Sequence, residues 1–165
     1  MKNIYFIGFM GCGKTTVAST LARSIQREWI DLDEWIVREE KMPIPHIFEQ
    51  KGEVYFRALE SRLLQETLTL SGKVVSTGGG IIGKEINRTC LNQETCIYLD
   101  WPFEELYRRI DGDTSRPLVK SYEQLKALYE ARRPLYEASC TLQVKCEGHT
   151  PYSLTNYLVD VLKLK

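Results

Sequence analysis

The sequence predicts an α/β protein, a three-layer α/β/α sandwich with a central parallel sheet. Strand-like runs rich in β-branched and aromatic residues alternate along the chain with helical ones, which implies parallel strands joined by right-handed helical crossovers. A glycine-rich stretch, GFMGCGKTT from Gly8 to Thr16, follows the first of those runs and leads into the first helical one. That is where such a loop belongs if it sits at the carboxyl ends of the strands of a parallel sheet. At 165 residues the chain suits one domain, 1–165, long enough to bury a respectable core.

NIYFIGF, an apolar run too short and too β-branched for a helix, reads as the first strand, and KTTVASTLARSIQ as the first helix. EWIDLD reads as a short second strand. Helical sequence then extends through IPHIFEQKGEVYFRALESRLLQETL, and KVVST is a strand running into Gly78, Gly79 and Gly80. TCIYLD is again a strand and PFEELYRRI a helix. SYEQLKALYEARRPLY reads as a helix ended by Pro134, CTLQVK as the last strand and YSLTNYLVDVLKL as the last helix.

The 22 basic and 22 acidic side chains cancel, so nothing in the charge balance argues for a nucleic-acid partner. Five cysteines, odd in number and without a C-x-x-C pair, read as free thiols in a reducing compartment. MKNIYFIGFMGCGKT spends its apolar residues on a strand rather than a signal peptide, and no apolar run approaches the ~20 residues that span a bilayer. A cytoplasmic protein with no membrane partner is expected. Neither repeats nor low-complexity tracts occur.

Gly8, Gly13, Lys14 and Thr15 fill the pattern G-x-x-x-x-G-K-[ST] between a strand and a helix. Glycines let the backbone N–H groups turn inward around an anion, and the helix start adds its positive dipole end. Lys14 would reach the β- and γ-phosphates, and Thr15 would place its hydroxyl on a phosphate-bound Mg²⁺. Cys12, inside the loop, reads as a small space-filler, because phosphoryl transfer in such loops needs no covalent step.

Asp31 and Asp33 stand two apart at the end of the second predicted strand, which would put both carboxylates on one face and into the same crevice. One could hold the Mg²⁺ shell while the other accepts a hydrogen bond, or a proton, from a hydroxyl nucleophile. The alternative for Asp33 is that it caps the helix that follows. Three glycines in a row, Gly78 to Gly80, suggest a substrate lying against bare main chain. Arg57, Arg108, Arg109, Arg116, Arg132 and Arg133 gather at element ends, and planar guanidiniums bind carboxylate and phosphate at two points. Arg108 and Arg133 are expected to be solvated.

In order, GFMGCGKTT, DLD, IFEQKGEVYFRALE, STGGG and RPL followed by RRPLY resemble the shikimate kinase family, from Asn3 to about Tyr136. The resemblance implies a P-loop kinase fold with a helical substrate-binding region at about 33–60 and a mobile lid at about 111–121. It implies transfer of the γ-phosphate of ATP to the 3-hydroxyl of shikimate, a step of aromatic amino-acid biosynthesis. Mg²⁺ is the implied cofactor, ATP and shikimate are the implied partners, and a monomer is expected.

Position by position, the resemblance makes Asp33 the residue that holds the shikimate hydroxyls and acts as, or near, the base, and Asp31 a residue of the metal shell with Thr15. Arg57 and Arg132 resemble the pair that clamps the shikimate carboxylate, Gly79 and Gly80 the backbone against the ring, and Phe48 and Phe56 its apolar walls. Glu60 resembles a support for Arg57. The implied ATP set is Gly11, Cys12, Gly13, Lys14, Thr15, Thr16, Arg109 and Arg116, with Arg109 on adenine and Arg116 reaching from the lid to the transferring phosphate. Arg132 rather than Arg133 fits the family's R-x-P-L-Y pattern. After the last strand, His149, Thr150 and Pro151 stand where many members carry an arginine-containing adenine loop.

Lys14, Mg²⁺ and Arg116 could supply most of the charge neutralisation that phosphoryl transfer needs, leaving Asp33 to orient a hydroxyl. DGDTSRPLVKS, with Gly112 as a hinge, suits a lid that excludes water. A gluconate or nucleoside-monophosphate kinase would share loop and lid, but the two carboxylate-reading arginines and the triple glycine disfavour both. A regulatory module without chemistry would have lost Lys14, Asp33 or Arg116. A GTPase-type switch would need D-x-x-G and N-K-x-D, and neither occurs.

Overall fold

The computed structural model of the chain describes residues 1–111 and 120–164. In order, the elements are β1 (Ile4–Ile7), α1 (Lys14–Ser24), β2 (Trp29–Asp31), α2 (Leu32–Glu40), α3 (Ile44–Thr67) and β3 (Val74–Ser76). A 3₁₀ turn (Ile81–Gly83) follows, then α4 (Glu85–Asn92), β4 (Thr95–Asp100), α5 (Phe103–Asp111), α6 (Tyr122–Ser139), β5 (Leu142–Lys145) and α7 (Pro151–Leu162). The five strands form one sheet in the order β2-β3-β1-β4-β5, and every pairing is parallel.

Strand order explains the layers. From β1 the chain crosses by α1 to β2 on one side, and from β3 by α4 to β4 on the other. Right-handed crossovers in opposite directions put α1 and α4 on opposite faces, where α1 packs with α7 and α4 with α6. With both faces covered, β1 is apolar at every position, and Tyr5, Phe6 and Ile7 have no exposed surface. The register sets Phe6 beside Ser76 and Ser76 beside Asp31. The loops after β1, β3 and β2 therefore leave the sheet side by side, which brings three separate motifs to one edge.

Local expectations change at three points. Strand β2 stops at Asp31, so Asp31 and Asp33 are not alternate positions on a strand. Asp31 itself caps α2, its Oδ1 accepting the N–H of Asp33 at 3.0 Å and of Glu34 at 3.3 Å, because a short carboxylate satisfies the orphan donors of a first turn. Asp33 sits inside the helix. Within α3, Gly52 leaves helical geometry at φ 86°, ψ 165°, so the expected helical sequence forms two segments that meet there. Helix α6 continues past Pro134 to Ser139; Pro134 and Glu130, whose carbonyl loses its partner, are both exposed, so water can take that bond. Helix α4 lies in IIGKEINRTCLN, a stretch with no predicted element, and is anchored by buried Asn87 and Leu91.

The five cysteines are free. Among the described residues no helix is long and apolar enough to cross a membrane.

Candidate active site

The loop after β1 reaches α1 through Gly13, whose φ of 83° is left-handed and which offers no side chain to cap the helix. The first N–H groups of α1 therefore stay open to an anion. Lys14 Nζ donates to Gly8 O at 2.6 Å and to Phe9 O at 3.3 Å, which holds the ammonium over the loop. Cys12 is buried. Its Sγ lies 3.6 Å from Lys14 Nζ, and its carbonyl accepts the Trp101 indole N–H at 3.1 Å, so it packs and ties the loop to the end of β4.

The two oxygens of Asp31 divide their duties. Oδ1 caps α2, while Oδ2 lies 3.5 Å from Thr15 Oγ1. Neighbouring ligands of an octahedral Mg²⁺, each at ~2.1 Å, stand roughly 3 Å apart, so hydroxyl and carboxylate fit a shared ion that keeps most of its waters. Among the described residues no group of three His, Cys, Asp or Glu side chains could hold a metal by itself.

Two clefts open along this edge. One, of about 610 Å³, is lined by Gly11 to Thr15, Asp31, Asp33 and Arg109. The other, of about 200 Å³, is lined by Phe48, Phe56, Arg57, Glu60, Gly80 and Arg132. Asp33, Met10, Ile44, Gly78 and Gly79 line both, which makes Asp33 a residue of the junction.

The break at Gly52 shapes the smaller cleft. Phe48 and Phe56 are eight positions apart and would be ~12 Å apart along a straight helix, yet their ring centroids lie 4.7 Å apart. Arg57 Nη1 pairs with Glu60 Oε1 at 2.9 Å. Glu60 is 1% exposed and its Oε2 has no partner among the described residues. Burial pushes the Glu60 carboxyl up; Arg57 pulls it back, and the Asp33 carboxylate opposes that pull.

The glycine triplet makes room for these side chains. A β-carbon on Gly78 would lie 3.0 Å from both Asp33 Oδ1 and Glu60 Oε2, and one on Gly80 would lie 2.5 Å from Arg57 Nη2. Gly80→Ala should therefore displace Arg57 and weaken an acidic ligand about tenfold to a hundredfold, the worth of a charge-assisted hydrogen bond, with nucleotide affinity unchanged. Dissociation constants for both ligands check this.

Arg132 and Arg133 point different ways. Arg132 lines the smaller cleft, its guanidinium 6.0 Å over the Phe9 ring. Arg133 turns to Asp100 (3.3 Å) and the Tyr129 hydroxyl (2.9 Å), so it is a tethered residue and not simply solvated. Arg108 is exposed and pairs with Glu105. Arg109 stacks 4.0 Å over Trp101 and donates to Gly11 O at 3.2 Å, on the wall of the larger cleft. Arg116 and most of the expected lid lie outside the described residues.

Sequence reasoning missed Ile44 and Pro45, which line the larger cleft from the start of α3; the Pro-Ile-Pro run there was the available signal. After β5, Thr150 caps α7 in a reciprocal box with Ser153, and His149 Nδ1 lies 2.9 Å from Ser153 Oγ, so helix capping explains this departure.

A phosphate-binding loop that meets a carboxylate where a second, arginine-lined cleft begins is the arrangement of a nucleotide-dependent small-molecule kinase. The shikimate kinase family model matches residues 10–163, and the chain belongs to the shikimate kinase family. A shikimate kinase of Persephonella marina is 40% identical over 165 residues, 99% of this chain and 100% of the relative. The solved shikimate kinase of Acinetobacter baumannii in complex with shikimate superposes with a TM-score of 0.91 at 35% identity, over 99% of this chain and 93% of that one. The Aquifex aeolicus shikimate kinase structure gives 0.87 at 36% identity, over 98% and 96%. The chain is thus an ATP-dependent small-molecule kinase, and the family that its ordered motifs resemble is the family found.

Proposed function

We propose that the chain transfers the γ-phosphate of ATP to the 3-hydroxyl of shikimate, giving shikimate 3-phosphate and ADP, with the acceptor in the smaller cleft and the nucleotide in the larger. The observation that carries this assignment is the place of Asp33, which lines both clefts between the phosphate loop and the two arginines.

In this reading Lys14 and the open N–H groups of α1 hold the phosphates and neutralise charge that builds on them in transfer. Thr15 and Asp31 would hold Mg²⁺, which would supply further charge neutralisation there. Arg57 and Arg132 read the carboxylate, Phe48 and Phe56 cover the ring, and Gly79 and Gly80 offer main-chain donors. Asp33 orients the 3-hydroxyl and takes its proton. Arg116, from a lid at 111–121, completes the charge around the transferring group. Arg109 flanks the base. The chain works as one domain, 1–165, and its free thiols suit a cytoplasmic setting.

The test is ADP release in a coupled assay with shikimate against a panel of other hydroxy acids, for the parent protein and two variants. ADP release should require shikimate. Arg132→Lys should weaken shikimate about tenfold to a hundredfold, since an ammonium cannot reproduce a planar two-point contact. Arg133→Lys should leave shikimate affinity unchanged, because Arg133 faces Asp100 and Tyr129. ADP release at the same rate without shikimate would sink the assignment, and a reversed order of the two variants would move the carboxylate site to Arg133.

A further inference from the structure

Helix α6 carries two arginine–tyrosine pairs, each with one turn between partners, that serve different walls of the site. In the first, Tyr136 is fully buried with its ring stacked 5.1 Å from that of Tyr98, and its hydroxyl donates to the carbonyl of Gly79 at 2.6 Å. Burial pushes that hydroxyl's pKa up, and the Arg132 guanidinium beside it pulls the other way. Arg132 also borders the same glycine, its Nη1 3.5 Å from where a Gly79 β-carbon would stand. In the second pair, the Tyr129 hydroxyl donates to Trp101 O at 2.8 Å and accepts from Arg133 at 2.9 Å. Trp101 carries Arg109 on its ring and bonds Cys12 O through its indole N–H.

The first pair acts on a turn whose ends the backbone holds: the Ile81 N–H donates to the Gly78 carbonyl at 3.2 Å and the Gly83 N–H to that of Gly80 at 3.1 Å, with the Gly79–Gly80 peptide between them. Three consecutive glycines have wide backbone freedom, and among the described residues no backbone carbonyl accepts the Gly79 or the Gly80 N–H. In a planar trans peptide the C=O and the following N–H point opposite ways. Holding the Gly79 carbonyl against Tyr136 therefore turns the Gly80 N–H away from that hydroxyl and leaves it available to a ligand.

We propose that Tyr136 is a positioning residue for the acceptor: its hydroxyl fixes the Gly79–Gly80 peptide beside the Arg132 guanidinium, so that a main-chain donor is set next to the carboxylate-reading arginine before the substrate arrives. The proposal rests on the shikimate reading of the smaller cleft. Tyr129 does the corresponding work for the nucleotide wall through Trp101.

Tyr136→Phe and Tyr129→Phe each keep the ring and remove one buried hydroxyl bonded to a carbonyl, so each serves as the stability control for the other. Melting temperatures and separate dissociation constants for shikimate and ATP are measured on the parent protein and both variants. Tyr136→Phe is expected to weaken shikimate about tenfold with ATP affinity unchanged, whereas Tyr129→Phe weakens ATP about threefold to tenfold with shikimate affinity unchanged. In the variant pair Arg132→Lys and Tyr136→Phe, the double variant should lose less shikimate affinity than the two single losses combined, because both act through one arrangement. Unchanged shikimate affinity in Tyr136→Phe overturns the proposal, as does equal weakening of both ligands in both variants, which is general loosening. A parent protein that binds ATP but not shikimate fails earlier, and that failure removes the functional reading itself.

Discussion

Lys14→Met should lower kcat by about two to three orders of magnitude while the protein keeps its fold. The range is that of losing one preorganised charge-stabilising donor from a site of this kind. Two local features separate the chemical effect from a structural one. Among the described residues the ammonium bonds to Gly8 O, Phe9 O and the Cys12 thiol, all within the loop, so its removal disturbs none of the packing around β1. Methionine keeps the apolar stem and close to the same length, and α1 is still entered through Gly13, on the wall of the larger cleft. The melting temperature should therefore move little. Single-turnover rates with ATP and shikimate, beside thermal melts, check the expectation. Near-normal turnover would mean that the loop does not hold the transferring phosphate.

Asp33→Asn should cost about two to four orders of magnitude in rate, the usual worth of a positioned base, and far less in ATP affinity. The amide has the shape of the carboxylate but neither takes a proton nor accepts as strongly from a hydroxyl. Asp33's own backbone N–H, which bonds Asp31 Oδ1, is untouched by the change, so the cap of α2 and the Thr15–Asp31 pairing survive. That independence makes the result readable: a loss in turnover reports on the acceptor side of the junction, a loss in nucleotide binding on the metal side. A fall in ATP affinity with unchanged turnover would reassign Asp33 to the metal shell.

The motifs that lie within a few consecutive residues were legible because their geometry is local. GFMGCGKTT between a strand and a helix identifies a phosphate loop wherever it folds, and TCIYLD is a strand over its whole predicted length, Thr95–Asp100. The resemblance to the family's R-x-P-L-Y pattern pointed to Arg132 over Arg133, and of the two it is Arg132 that lines the smaller cleft. The same locality misled at DLD, where a strand periodicity was extended one turn too far. Asp31 had two competing uses for its carboxylate, and the helix cap won because α2 needed its first donors satisfied.

By itself, then, the sequence determined the alternation of strands and helices, the phosphate loop and its charge, and the family. The tertiary structure decided everything that depends on groups far apart in the chain. Gly80 lies against Arg57 and Gly79 is bonded by Tyr136, 57 residues away. Glu60 has one oxygen on Arg57 and the other near Asp33. No periodicity encodes such contacts, since they exist only after the parallel register has set the ends of β1, β2 and β3 in a row and α3 and α6 have packed against them. A glycine in the sequence announces only that a β-carbon is missing; which side chain takes its place is settled by packing.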